Sequence, residues 1–423
     1  MALLRKYRTV LSNFTYLSLL NGLDIALPLL VIPYLTNVVG AEYFGDYAFV
    51  LAVVQTVNIV TSYGFLYSAT KKISQNRDDH IVVNKIFNAV ISCRFIIALI
   101  IVTCLLLGES FIFRSEVQLF MFFTSIGMIF GDVFIPTWLF QGLEKMKYVT
   151  IVSSTSKILF TLLIFLTVSS KEDYMYILLM SSIGTIVAAL LSMILVRRMF
   201  SLRLLMPCWY DMKCELTDGF AIFLSTIGMT AYRNFNIIIL NYFVSSSAVG
   251  IYALAEKVIK AVQSLVNPIS QALFPYFGYI LKSKAVEGKA QNIRVLGKIS
   301  LVLTSVLMVV AVVVFFSSGL LGSLLGKDFT TVSPIIDIML PVLVFGCLNY
   351  LLGFVGLVNL NCQRFFFFSV ISSGTVSILL LFLLVNFIGV AGAAFAMSVS
   401  EMLLFVCFLI KLIKIYETNK KIV

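Results

Sequence analysis

The sequence predicts an all-α polytopic membrane protein with twelve transmembrane helices, arranged as two six-helix lobes around a central cavity. Runs of about 20 apolar residues, the length that crosses a bilayer, recur along the whole chain. Of its 423 residues 60% are hydrophobic and only 12% are charged, whereas about a quarter of the residues in soluble domains are charged. The mean hydropathy is +1.04. Short motifs also recur in the two halves, and charges inside the apolar runs lie at helical spacing.

Basic residues in the connections orient the spans. Of the 31 lysines and arginines, only Arg114, Lys171 and Lys327 lie in the connections of one side, and five lie inside spans. The other 23 lie at the two termini and in the connections of the opposite side. Because positive residues concentrate in cytoplasmic loops, both termini are expected in the cytoplasm. The predicted spans are 10–35, 43–68, 84–107, 117–139, 150–169, 174–197, 216–243, 249–278, 295–317, 332–359, 366–385 and 389–411.

An internal repeat divides the chain. Residues 45–48 (GDYA) match residues 250–253 (GIYA) at an offset of 205 residues, and Asp132-x-x-x-Pro136 matches Asp337-x-x-x-Pro341 at the same offset. Six spans per copy is an even number, so both copies enter the membrane in the same direction. An axis along the membrane normal then relates them, as in the parallel-repeat transporters. The predicted lobes are residues 1–205 and 206–423.

Several charged residues lie well inside the predicted spans, where each costs roughly 2.5–3.5 kcal/mol at a helix centre. Their sum, on the order of 20–30 kcal/mol, exceeds the stability of an ordinary protein. They must therefore pair with one another or face a hydrated cavity. These residues are Asp24, Arg94, Asp132, Lys157, Arg233, Glu256, Lys257, Lys260 and Glu401.

Two interpretations of these charges remain open. Glu256 and Lys260, at i and i+4, can form a local ion pair that only fixes helix packing. Arg94, Lys157 and Arg233 have no acid at i±3 or i±4. Either they line a substrate path, or Asp24, Asp132 or Glu401 neutralises them across a helix gap. Lys257 points about 100° away from Glu256 on its helix.

Polar residues in spans two, seven and eight indicate a transport cavity. They recur in steps of three and four, which places them on one helix face. Amides suit hydroxyl-rich ligands, and arginine offers forked donors that match phosphate oxygens. An anionic or sugar-bearing cargo is therefore expected. The predicted binding residues are Arg94, Lys157, Arg233, Lys260, Lys257, Gln55, Asn58, Asn236, Gln263 and Asn267, and the predicted coupling residues are Asp24, Asp132, Glu256 and Glu401.

Catalysis, metal binding and nucleic-acid binding are not expected. The sequence has no Walker loop and no cluster of histidine and cysteine ligands, and its seven cysteines are scattered without paired spacing. Its one histidine, His80, lies in a cytoplasmic connection beside two aspartates. The net charge of +11 reflects membrane orientation, because the basic residues are dispersed over short loops.

Several motifs resemble those of one transporter family. They are residues 27–40 (LPLLVIPYLTNVVG) with 43–49 (YFGDYAF), residues 140–146 (FQGLEKM), and residues 249–257 (VGIYALAEK) with 273–275 (LFP). They resemble the first-helix signature, the loop after the fourth helix and the eighth helix of the Wzx-type O-antigen flippases, which belong to the multidrug/oligosaccharidyl-lipid/polysaccharide superfamily. The twelve predicted spans and the repeat agree with that family over the whole chain.

The resemblance implies an inner-membrane protein of bacteria that moves an undecaprenyl-pyrophosphate-linked sugar repeat unit from the cytoplasmic to the periplasmic leaflet. It implies no cofactor, although a proton or a sodium ion is a candidate coupling ion. Polysaccharide polymerase and chain-length machinery are candidate partners, beside the lipid itself. Three other functions are alternatives. A multidrug or cation antiporter would favour an acidic cavity, a lipid II flippase typically carries two further helices, and a membrane glycosyltransferase would need a large extramembrane loop.

Overall fold

The computed structural model describes residues 2–283, 287–360 and 362–420, and within these residues the regular structure is helical. Two compact units are formed, Met1–Asn234 and Phe235–Val423. Their boundary lies within a long helix, whereas the predicted lobes meet after residue 205. The predicted boundary was inferred from the sequence repeat, whereas the two units are defined by contacts between residues. The lobe boundary therefore stays a prediction.

The first unit contains nine α-helices and the start of a tenth within the described residues. Most are bounded by short turns, and a 3-10 turn at Lys171–Tyr176 precedes α9. The helices are α1 (Ala2–Val39), α2 (Ala41–Ser62), α3 (Phe65–Gln75), α4 (His80–Leu107), α5 (Glu109–Ile112), α6 (Glu116–Val133), α7 (Thr137–Gly142), α8 (Met146–Thr167), α9 (Ile177–Phe200) and α10 (Trp209–Phe243).

The second unit takes up the remainder of α10 and five further α-helices. A 3-10 turn at Lys327–Phe329 precedes α13, and a π-helical segment at Tyr350–Val358 follows it directly. The helices are α11 (Ser246–Ser283), α12 (Glu287–Leu324), α13 (Val332–Asn349), α14 (Gln363–Ile388) and α15 (Val390–Lys420). Helix α15 packs against both α13 and α14, and α13 also packs against α11 and α12.

Ten helical segments in the described part of the chain are long and apolar enough to cross a membrane. They coincide with ten of the predicted spans and confirm a multi-pass membrane protein. Helices α10 and α11, which correspond to predicted spans seven and eight, are not among these ten. Both helices carry several charged residues. The number twelve therefore stays a prediction.

Local sequence signals explain the bends of the first unit. Helix α2 stops at Ser62 because Tyr63 and Gly64 both adopt left-handed backbone angles, with φ of 44° and 79°. A Cβ on Gly64 would lie 2.9 Å from the backbone nitrogen of Phe223, so only glycine fits there. Helix α4 begins where the Asp79 side chain accepts hydrogen bonds from two free amide groups of its first turn.

An aromatic core holds α3, α4 and α7 together. Phe65, Phe87, Trp138 and Phe140 are buried in it, and Ile73 packs among them. Helix α7 follows a break in predicted span four, and its apolar residues dock into this core. The core thereby fixes the position of the break between α6 and α7. The first candidate residue, Arg94, contacts this break.

Candidate functional site

Arg94, midway along α4, supports the broken end of α6. Its Nη1 donates to the Val133 carbonyl at 3.3 Å and to the Ile135 carbonyl at 3.4 Å. Its Nη2 lies 2.6 Å from Asp132 Oδ2. Carbonyls at a helix C-terminus lack helical donors and attract positive charge. With only 5% of its side chain exposed, Arg94 therefore acts as a buried cap for α6.

Lys157 on α8 pairs with Asp24 on α1. The lysine side chain is 38% exposed and the aspartate side chain is 42% exposed, so this pair is far more open than the Arg94 pair. Ser154 Oγ and Thr161 Oγ1, one turn on either side of Lys157, are buried without a hydrogen-bond partner in the described structure. Polar side chains thus lie on this helix on either side of a half-exposed ammonium group.

The seam between α1 and α8 has polar contacts along its whole length. Thr150 Oγ1 donates to the Tyr16 carbonyl at 2.9 Å toward one end. The Tyr34 hydroxyl donates to the Val168 carbonyl at 2.6 Å toward the other end. The Lys157–Asp24 pair lies between these two contacts. Residue numbers rise together on both helices, so the two helices run in the same direction.

Glu256 and Lys260 form the local pair that their spacing allowed. Lys260 Nζ lies 2.8 Å from Glu256 Oε1, one helical turn away on α11. The glutamate side chain is only 2% exposed, whereas the lysine side chain is 40% exposed. Lys257 and Arg233 are half-buried, and each makes further contacts. The roles of Arg233, Lys257 and Lys260 in substrate binding, and of Glu256 in coupling, stay predictions.

Arg94 and Lys157 both have a partner across a helix gap. Each has a carboxylate on a neighbouring helix, which is the alternative that the sequence left open. Spacing within one helix cannot detect such partners, because they lie 38 and 133 positions away along the chain. The two pairs also lie in different seams, one between α4 and α6 and the other between α1 and α8.

Two of the predicted amide residues make internal contacts in the second unit. Gln263 Nε2 donates to the Val342 carbonyl at 2.7 Å, and this glutamine is buried. Asn236 Nδ2 lies 3.4 Å from Ser377 Oγ, and Asn236 Oδ1 is buried without a hydrogen-bond partner among the described residues. These contacts join α11 to α13 and α10 to α14.

The other predicted amides differ in their surroundings. Gln55 is exposed on α2. Asn58, almost one turn further along, is half-buried, and its Oδ1 atom has no hydrogen-bond partner in the described structure. The side chain of Asn267 lies outside the described residues. Substrate contacts of all three stay predictions.

Glu401 is the most enclosed of the predicted coupling residues after Glu256. It is 3% exposed, and its Oε2 accepts a hydrogen bond from Asn349 Nδ2 at 2.8 Å. The same Nδ2 also donates to the Glu401 backbone carbonyl at 2.9 Å. Asn349 is the last residue before the π-helical segment. Such segments widen a helix and are frequent at functional sites.

Residues 10–281 match the family model described as "Polysaccharide biosynthesis protein". The chain belongs to this family. A protein of Escherichia coli (strain K12) named "Putative O-antigen transporter" is 27% identical over 412 residues, which is 97% of each chain. A protein of Shigella dysenteriae with the same name is 31% identical over 278 residues, which is 64% of this chain and 69% of the other. The resemblance based on motifs is thereby confirmed.

Solved structures show the same fold for this polysaccharide biosynthesis protein. An inward-facing multidrug resistance MATE family transporter of the MOP superfamily superposes with a TM-score of 0.75, at 12% identity and 95% coverage of both chains. The lipid II flippase MurJ in an inward closed conformation superposes with a TM-score of 0.74, at 13% identity, covering 97% of this chain and 90% of the other. These similar proteins are transporters and flippases rather than enzymes.

Sequence reasoning missed a charged cluster in this family member. Lys72 Nζ lies 2.8 Å from Glu215 Oε1 and 2.6 Å from Asp218 Oδ2, so the end of α3 holds the start of α10. Burial raises the pKa of the Glu215 carboxyl, and the hydrogen bond from Lys72 opposes that increase. The spacing of the two acids, at i and i+3, could have indicated a shared partner.

A buried polar pair at the start of α2 was missed as well. Gln118 Nε2 donates to Asp46 Oδ1 at 2.8 Å, and both side chains are buried. Gln118 Oε1 in turn accepts from the Arg114 backbone nitrogen at 3.0 Å. In the sequence analysis, Asp46 was considered only as part of the repeat motif at residues 45–48. Its charge, set between apolar neighbours, was a signal for a partner.

Proposed function

We propose that the protein is a flippase that moves an undecaprenyl-pyrophosphate-linked oligosaccharide, an O-antigen unit or a related repeat unit, from the cytoplasmic to the periplasmic leaflet. One observation carries the proposal: the alignment with a protein named as an O-antigen transporter covers 97% of each chain. The similarity to a lipid II flippase supports it, because that fold accommodates a lipid-linked saccharide. The fold alone does not separate this cargo from a drug, since a multidrug transporter superposes equally well.

The half-exposed lysines are the best candidates for the pyrophosphate. Lys157 and Lys260 each pair with a carboxylate, yet 38% and 40% of their side chains stay accessible. An ammonium group has three donors, so one can serve the carboxylate while the others serve pyrophosphate oxygens. Arg94 has both Nη groups engaged with protein atoms and is the weakest of the predicted cationic ligands. Arg233 remains a candidate.

The membrane potential gives the transport its direction. The lobes 1–205 and 206–423 would alternate access around the sugar and pyrophosphate, while the lipid tail stays in the bilayer. The pyrophosphate diester carries about two negative charges. Moving each outward against an inside-negative 100 mV is favourable by about 2.3 kcal/mol. The combined effect is roughly a thousandfold in favour of the outer leaflet, so the potential alone would bias export.

Coupling to an inward proton or sodium ion would add to this bias. Asp24 and Glu256, which pair with Lys157 and Lys260, are candidates to carry this ion. Asp132 and Glu401 are the other candidates. Transport that is unaffected when the ion gradient is collapsed at fixed voltage would remove the coupling. The released unit would then meet the polymerase and chain-length machinery as partners on the periplasmic side.

Deletion of the gene tests the proposal directly. The deletion strain should accumulate an undecaprenyl-pyrophosphate-linked saccharide on the cytosolic side and lose surface polysaccharide. Re-expression of the intact protein should reverse both effects. Drug susceptibility and lipid II levels, measured in the same strain, should not change. Increased drug susceptibility with normal surface polysaccharide would instead favour an antiporter, and accumulated lipid II would favour a peptidoglycan flippase.

A further inference from the structure

The connection between α9 and α10 presents an unusual outer surface. Its eight residues, 201–208, here called the linker, form no helix. Leu202 points into the first unit and is buried, as is Met212 in the first turn of α10. Met206 is 100% exposed and Trp209 is 71% exposed. The outer surface, here called the linker surface, consists of Leu204, Leu205, Met206, Trp209 and Tyr210.

The linker is held rigidly in this orientation by two asparagines on α4. The backbone nitrogen of Arg203 donates to Asn84 Oδ1 at 3.1 Å. Asn88 Nδ2 donates to the Arg203 carbonyl at 3.0 Å, and Asn88 Oδ1 accepts from the Leu205 backbone nitrogen at 2.7 Å. Asn88 is only 3% exposed. Because these bonds use backbone atoms, they fix the linker while leaving its side chains free to face outward.

Positive charge surrounds the linker surface. Arg197 and Arg198 end α9, Arg203 lies within the linker, and Lys213 follows in α10. All four side chains are exposed, and within the described part of the chain they form no ion pair. A surface with exposed apolar groups and unneutralised cations needs a partner that is both apolar and anionic.

We propose that the linker surface lies in the headgroup region of the cytoplasmic leaflet and binds anionic phospholipids. Tryptophan and tyrosine are enriched at this depth, where the ring is half in hydrocarbon. Basic residues near the surface attract anionic lipids. A soluble anion would satisfy the arginines but would leave Met206 and Trp209 in water, so the lipid headgroup with its acyl chains is the better partner. The asparagine contacts transmit this attachment to α4.

Trp209 itself is a probe for the proposal. The chain has two tryptophans, and the other, Trp138, is buried at 2% exposure. The Trp138→Phe variant of the full-length protein should be reconstituted in bilayers of phosphatidylcholine and phosphatidylglycerol. Brominated phosphatidylglycerol should quench Trp209 several-fold more than brominated phosphatidylcholine at the same mole fraction, and aqueous iodide should quench it weakly. If the substitution perturbs folding, the native chain with Trp209→Phe as background gives the same measurement.

Charge variants separate lipid selectivity from simple burial. Replacing Arg197, Arg198 and Arg203 with glutamine keeps the backbone contacts to α4. Each lost charge should lower the relative association of phosphatidylglycerol about fivefold, so the preference should disappear while neutral brominated lipid still quenches. The matched control, Lys171→Gln, removes an exposed charge in a different connection and should change nothing. Iodide quenching equal to that of free tryptophan, or equal quenching of the wild type by both lipids, would overturn the proposal.

Discussion

The same sequence pattern gives two different helices in the two units. In the first unit, Asp132-x-x-x-Pro136 breaks the helix, because α6 ends at Val133 and α7 begins at Thr137. In the second unit, 205 residues later, Asp337-x-x-x-Pro341 lies within the continuous helix α13, and only afterwards does the backbone widen into a π-helical segment. A proline removes one donor and disturbs the preceding turn in both places. The pattern alone therefore does not decide whether the helix opens.

The donors that neighbouring helices supply differ between the two places, although a neutral hydroxyl serves both, since Ser192 Oγ donates to the Phe134 carbonyl at 2.6 Å. In the first unit, Arg94 serves two carbonyls at once. In the second unit, Gln263 donates to the Val342 carbonyl at 2.7 Å and Ser398 donates to the Ile338 carbonyl at 2.7 Å. The position 205 residues after Arg94 is Ile299, which has no donor. A charged fork can support an open helix end, whereas single neutral donors serve a helix that stays closed.

The largest test of this comparison is Arg94→Met. The substitution leaves two carbonyls and the Asp132 carboxylate without their donor. Breaking a buried pair costs about 3–5 kcal/mol, and because Asp132 is 37% exposed we expect about 3 kcal/mol. Membrane abundance should fall, and thermal unfolding of the purified protein should shift to markedly lower temperature. Surface polysaccharide should be lost because folded protein is lost.

The double variant Arg94→Met/Asp132→Asn is the control. It removes both charges and should recover part of the stability, because no unpaired carboxylate remains. Arg94→Lys keeps the charge but not the fork, and should fall between the wild type and Arg94→Met. Normal abundance of Arg94→Met with abolished transport would contradict the structural role and would favour the predicted contact with substrate.

The second test compares Gln263 with Asn58, which occupies the equivalent position of the internal repeat 205 residues earlier. Gln263→Leu removes the side-chain hydrogen bond to the Val342 carbonyl, which keeps its helical donor within α13, and the net loss of such a bond is about 0.5–1.5 kcal/mol. Asn58 Oδ1 has no hydrogen-bond partner in the described structure. Asn58→Leu should therefore be neutral or slightly stabilising. Thermal unfolding of the two variants under identical conditions measures the difference in stability. Equal destabilisation would show that the two amides contribute equally to stability.

The sequence was sufficient for the membrane class, for ten of the spans and for the family, because apolar runs and short motifs are local signals. It was not sufficient for the partners of the buried charges. Asp24 and Lys157 lie 133 positions apart, and only the packing of α1 against α8 brings them together. Pro136 lies where its helix is interrupted, but the support that Arg94 gives to that interruption depends on the position of α4 relative to α6. Partner choice is a tertiary property.

The half-exposed pair Lys157–Asp24 gives the last test. Here we expect the smallest change in stability and the most specific loss of transport. Half-exposed pairs contribute less than about 1 kcal/mol, so Lys157→Gln should unfold at nearly the wild-type temperature. If its ammonium group meets the pyrophosphate, this variant should nevertheless lose surface polysaccharide at normal membrane abundance. The exchanged variant Asp24→Lys/Lys157→Asp keeps the pair but moves the cation to α1. Transport that returns in the exchanged variant would show that the pair matters for packing only, whereas transport that stays lost would assign the function to the position of the cation on α8.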